Sequence, residues 1–155
     1  MRFPYQEYEI SASPIDGSVT LYRPEIPLHL IGESDELFVF GLLDTGADCV
    51  VIGREIARQL GMLIDESVRW KLHGFGSHTV EAVLGHLDIE IMDTKESVAW
   101  RMPVAVVAFN DEQEEVVLLG QTGFLQYFDI RFLGSDCSVE LVPNASFPKP
   151  KSTRG

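Results

Sequence analysis

The sequence predicts an all-β chain with one or two short helices, and three observations carry that expectation. Apolar residues fall in short runs, several of them alternating with polar residues at a period of two, as half-buried strands require. Gly, Pro, Asn and Asp punctuate those runs at close intervals. Only one stretch, from Arg54 to Leu60, clearly sets apolar residues at helical spacing, with Ile56, Ala57 and Leu60 on one face and Gly61 as a stop.

In chain order, residues 1–26 read as an N-terminal extension of short strands and turns, because Pro14, Pro24 and Pro27 exclude a long helix. His29-Leu30-Ile31 and Leu37 to Leu43 read as strands joined by the polar turn 32–36. Trp70 to Phe75 and Thr79 to Met92 form the next pair, turning at Gly74-Phe75-Gly76-Ser77, and Gly85 suggests a bulge or bend inside the second. Val98 to Phe109 reads as a strand pair or one long strand around Pro103. Val116 to Gly120 lacks alternation and reads as a buried strand. Gly123 to Phe128 is a candidate second helix. Asp129 to Phe132 and Ser138 to Val142 form a closing hairpin. The main domain is therefore expected over 27–142, and a polar, Pro-rich tail over 143–155 is expected to be disordered.

With 155 residues the chain is long enough for one domain with a core. A formal net charge of −12 and a pI near 4.6 argue against nucleic acid or an anionic membrane surface as partners, since both select basic patches. The acidic clusters Glu33 to Glu36 and Asp111 to Glu115 read as solvated loops. Two cysteines, Cys49 and Cys137, make no disulfide framework, and a cytoplasmic location is expected. Neither a signal peptide nor an apolar run long enough to span a bilayer is visible.

Asp44-Thr45-Gly46-Ala47-Asp48 is the segment that points to chemistry. It lies between the apolar runs ending at Leu43 and beginning at Cys49. A carboxylate between buried strands is costly unless it is hydrogen-bonded or shares a proton. The bland alternative is a turn in which Asp44 bonds its own backbone. His29, His73, His78 and His86 match no metal-ligand spacing, and neither a metal nor another cofactor is expected. A phosphotransfer role for Asp44 lacks a nearby Gly-rich phosphate loop or Lys.

Three segments in order resemble the retropepsin-like aspartic proteases, the single-lobe group that includes retroviral proteases and bacterial relatives. They are Gly41 to Asp48, the Gly-rich hairpin Leu72 to Ser77, and Val117-Leu118-Leu119-Gly120; the likeness spans roughly 27–142. The resemblance implies a closed β-barrel and a cofactor-free endopeptidase in which two carboxylates share one proton and activate water, a logic that belongs to aspartic proteases as a class. It assigns Asp44, Thr45 and Gly46 to catalysis, and Ala47, Asp48, Gly74, Phe75 and Gly76 to substrate binding, the last three in a flap. Because the chain holds one Asp-Thr-Gly, it also implies a homodimer acting on a peptide or protein substrate. Gln121-Thr122 stand where viral members carry Arg followed by an acidic or amide residue. The alternative function is a catalytically silent or weak domain of the same fold that binds extended peptides or mediates protein interaction.

Overall fold

The computed structural model of the chain describes residues 1–74, 78–108 and 117–148. Phe75, Gly76 and Ser77, Val116, the acidic cluster 111–115 and residues 149–155 of the expected tail lie outside the described residues.

The N-terminal segment forms three short strands, β1 (Arg2–Pro4), β2 (Gln6–Glu9) and β3 (Thr20–Arg23). They are followed by β4 (Glu25–Ile31), β5 (Glu36–Leu43) and β6 (Val51–Gly53), then by helix α1 (Arg54–Gln59). The remaining strands are β7 (Ile64–His73), β8 (Thr79–Met92), β9 (Ser97–Val107), β10 (Val117–Leu119), β11 (Phe128–Leu133) and β12 (Ser138–Pro143). Six strands hydrogen-bond in the order β4-β5-β10-β6-β9-β8, and a β4–β8 pairing from His29–Glu90 to Ile31–Asp88 closes them into a barrel. Closure leaves those strands without an open edge for another chain to extend. β7 adds to β8 outside the ring, and β1-β12-β11 form a separate antiparallel sheet.

Period-two patterning builds the interior. Ile26, Leu28 and Leu30 of β4 are fully buried, while Pro27 between them is exposed and His29 lies outward between Glu36 and Glu90. Each such aliphatic contributes about 1.5–3 kcal/mol by leaving water. The two prolines within barrel strands sit where those strands have one neighbour: Pro27 precedes the β4–β8 pairing, and Pro103 precedes the β6–β9 pairing. Helix α1 stops as its sequence implies. Gly61 adopts φ 64°, and the amides of Gly61 and Met62 return to the carbonyls of Arg58 and Ala57.

Several expectations are corrected in detail. Gly85 makes no bulge; β8 runs straight through it, and a Cβ there would lie 2.9 Å from Met62 and 3.0 Å from Val106, so the residue is small for packing. The irregularity falls in β7, between Asp65 and Arg69. Val98 to Val107 lies within one strand, and the second helix shrinks to a single 3-10 turn, Leu125–Tyr127. Ala82 and Val83, adjacent in β8, are both buried, because the sheet is covered on both faces there. A small outer cluster of Val51, Ala82, Ala105 and Val107, flanked by Trp70, Leu72 and Leu118, supplies the second cover. In the main core, Trp100 donates its indole N–H to the Gly123 carbonyl at 3.0 Å and packs among Phe124, Phe128 and Phe147. No helix among the described residues is long and apolar enough to cross a membrane.

Candidate active site

β5 delivers Asp44 to one end of the barrel, and the chain turns back through residues 45–50 into β6. β10 lies between these two strands, parallel to β5 and antiparallel to β6, so its end abuts the turn. The Asp44 amide donates to the Leu119 carbonyl at 3.2 Å. The amides of Gln121 and Thr122 donate to the carbonyls of Ala47 and Asp48, both at 2.9 Å, and Val50 donates back to Thr122 at 3.1 Å. Backbone groups that a bare loop would leave to water are thus paired with one partner segment.

Gly120 is the residue that makes this possible. A Cβ at that position would stand 2.2 Å from the Cys49 carbonyl oxygen and 2.6 Å from that of Ala47, which no side chain tolerates. The glycine of the apolar-apolar-Gly element is therefore a requirement of close approach.

Within the loop, Asp44 is half-buried and its Oδ1 accepts from the Gly46 amide at 2.9 Å. That is the self-bonded turn anticipated as the bland alternative, and it also fixes the carboxylate's direction. Thr45 and Gly46 are exposed, Ala47 is half-buried and Asp48 is exposed. The Gln121 side chain donates from Nε2 to the Thr45 carbonyl at 3.2 Å, a neutral tie across the base of the loop.

The loop forms the floor of a groove of about 560 Å³. Asp44, Gly46, Ala47, Asp48 and Cys49 line it from below, and Leu72, His73, Gly74 and Val80 from the β7–β8 arm. The structure thus brings Asp44, Gly46, Ala47, Asp48 and Gly74 together in one cavity, with Thr45 on the same loop; Phe75 and Gly76 lie outside the described residues. Sequence reasoning missed the apolar wall, Val51, Val80, Val107 and Leu118. The available signal was the near-continuous apolar character of 104–107 and 117–119, which marks strands covered on both faces. Burial, followed by the neighbouring Asp48 charge, pushes the Cys49 thiol up, which lowers its thiolate fraction in the groove.

No family model and no curated protein matches the chain. Solved structures to which the chain is similar include two proteases. A retropepsin-like aspartic protease from Rickettsia conorii is 17% identical, with 88% of this chain and 98% of that one covered and a TM-score of 0.49. An EIAV protease complexed with the inhibitor HBY-793 is 23% identical, with 63% of this chain and 81% of that one covered and a TM-score of 0.40.

Proposed function

We propose that this chain is an aspartic-type endopeptidase that works as a twofold homodimer. One observation carries the reading: a carboxylate held at the floor of a largely apolar groove, on a loop whose backbone is paired to the end of β10. A single carboxylate at that place supplies a base but no matching acid. A second copy related by a twofold axis supplies the other Asp44, and two carboxylates about 3 Å apart hold one proton between them.

In this mechanism the ionised Asp44 takes a proton from water as the water oxygen bonds to the peptide carbonyl carbon. The protonated Asp44 of the pair gives its proton to the carbonyl oxygen. The tetrahedral species then collapses, a proton passes to the amide nitrogen, and the C–N bond breaks to leave a carboxylic acid and an amine. The Thr45 hydroxyl bonds across to the opposite loop. Gly46 admits the substrate backbone close to the carboxylate, and Ala47 and Asp48 flank it. The β7–β8 arm acts as the flap, with Gly74 at its described end, and excludes bulk water.

The neutral Gln121–Thr45 contact favours a second reading, a weakly dimerising domain that binds extended peptides without cleaving them. One experiment separates the two. The purified protein is incubated with a mixed peptide library at mildly acidic pH beside the Asp44→Asn variant, and products are identified by mass spectrometry. Cleavage by the parent and none by the variant supports the protease. Binding without products from either supports the silent domain.

A further inference from the structure

One pair of strands joins neither the barrel sheet nor the β1-β12-β11 sheet. β2 and β3 pair with each other from Gln6–Arg23 to Glu9–Thr20, and among the described residues no third strand joins them. A lone two-stranded ribbon is marginal in water. This one is nevertheless ordered to its tip: Ile10 donates to the Val19 carbonyl at 2.9 Å, Ser13 to Ser18 at 2.8 Å, and Gly17 turns the chain at φ 73°. The ordered tip presents apolar side chains to solvent, with Ile15 93% and Val19 61% exposed, and Tyr22 lies 45% exposed on the ribbon itself.

The root of the ribbon is fastened beside the reacting group. The Tyr8 hydroxyl donates to the carboxylate of buried Glu25, and the Arg23 guanidinium lies over the Tyr8 ring at 5.3 Å. The Pro24 carbonyl accepts from the Leu43 amide at 3.0 Å, one residue before Asp44.

We propose that the β2–β3 ribbon is a dimerisation arm that lays Ile15 and Val19 on a second copy of this chain. The inference rests on the reading of Asp44 as half of a shared pair. Any twofold axis that unites two Asp44 carboxylates passes beside each Leu43–Pro24 contact, and so beside the root of each arm. Four paired residues at roughly 3.3 Å each carry the ribbon about 13 Å from that root before its tip loop begins. An apolar contact also suits two copies that each carry a net charge of −12, because it holds without opposite charges.

Sedimentation equilibrium at physiological salt tests the arm, in the Asp44→Asn background so that proteolysis does not consume the sample. Ile15→Ser combined with Val19→Ser should weaken the dimer at least about tenfold, with an unchanged circular-dichroism spectrum because both side chains already face water. A benzoylphenylalanine at position 15 should yield an adduct between heavy- and light-isotope chains on irradiation. A dimer of unchanged affinity that gives no such adduct overturns the arm and leaves the Asp44 pairing intact. A parent that stays monomeric at every concentration overturns the pairing as well.

Discussion

The floor of the groove and the β7–β8 arm above it are held by different means. Around Asp44, residues 119–122 meet the loop's amides and carbonyls in turn, and no room remains for even one extra carbon at Gly120. β7 has β8 as its sheet neighbour, carries an irregular step between Asp65 and Arg69, and exposes most of its side chains. Its hold on the outer cluster comes from Trp70 and Leu72. The contrast teaches where each kind of fitness resides. On the proposed function, a reacting carboxylate has to be preorganised, whereas a substrate-covering segment has to admit and release a chain. Substitutions in the floor should therefore move the catalytic constant or the fold, and substitutions in the arm should move substrate affinity.

The largest expected effect is at Asp44. Asp44→Asn should lower peptide turnover by at least about a thousandfold while thermal unfolding stays cooperative, checked by a fluorogenic peptide assay beside calorimetry. Turnover near the parent rate would place the chemistry elsewhere and dissolve the contrast. Gly120→Ala comes next and strikes the fold. Because the atoms it meets are backbone carbonyls, a loss on the order of 3 kcal/mol is expected in urea denaturation.

The pH profile sharpens the floor's side of the comparison. A carboxylate pair works only while it holds a single proton, so the rate should rise and fall about an optimum on the acidic side of neutral. Solubility has to be followed in parallel, because the sequence pI is about 4.6. A rate that is flat from pH 4 to 8 would remove the paired-carboxylate mechanism.

Smaller effects are expected in the arm. Val80→Ala should cost under about 1 kcal/mol of stability, since the side chain is already 38% exposed, yet should raise KM severalfold with kcat little changed. A fall in kcat alone would show that the arm, like the floor, is preorganised for the reaction. The smallest effect concerns Asp65 at the irregular step. The Ser67 hydroxyl and then the Ser67 amide hold its carboxyl below the usual range. A depressed folded-state pKa means that the tie is present above the unfolded value and lost as pH falls through the folded one. Amide exchange at Ser67 and Val68 should therefore gain a local acid-side acceleration that Asp65→Asn removes.

How legible each region was in the sequence follows from how local its causes are. β5, β10, the β11–β12 hairpin and helix α1 were readable because apolar period, turn residues and Gly61 lie within a few positions of one another. The loop 44–48 was readable for the same reason. The function of Gly120 was not, because the carbonyls of Ala47 and Cys49 that exclude a side chain arrive from more than 70 residues away. The groove walls were missed where a strand is covered on both faces, since neighbours such as Ala82 and Val83 are then both buried and alternation is erased. The extension 1–26 showed its short strands through its prolines, but the pairing of Phe3 with Val139 left no local mark.

The two tryptophans divide along the same line, and this gives the protein an internal optical reporter. Trp100, with its ring buried among Phe124, Phe128 and Phe147 and its N–H on a fixed carbonyl, should emit at short wavelength until the barrel itself unfolds. Trp70 lies half-buried in β7, against the cluster that backs the groove. A Trp100→Phe chain leaves only that second emitter. Its colour and its quenching by iodide then follow the β7–β8 arm alone, so that the proposed peptide capture can be timed without a label and apart from global unfolding.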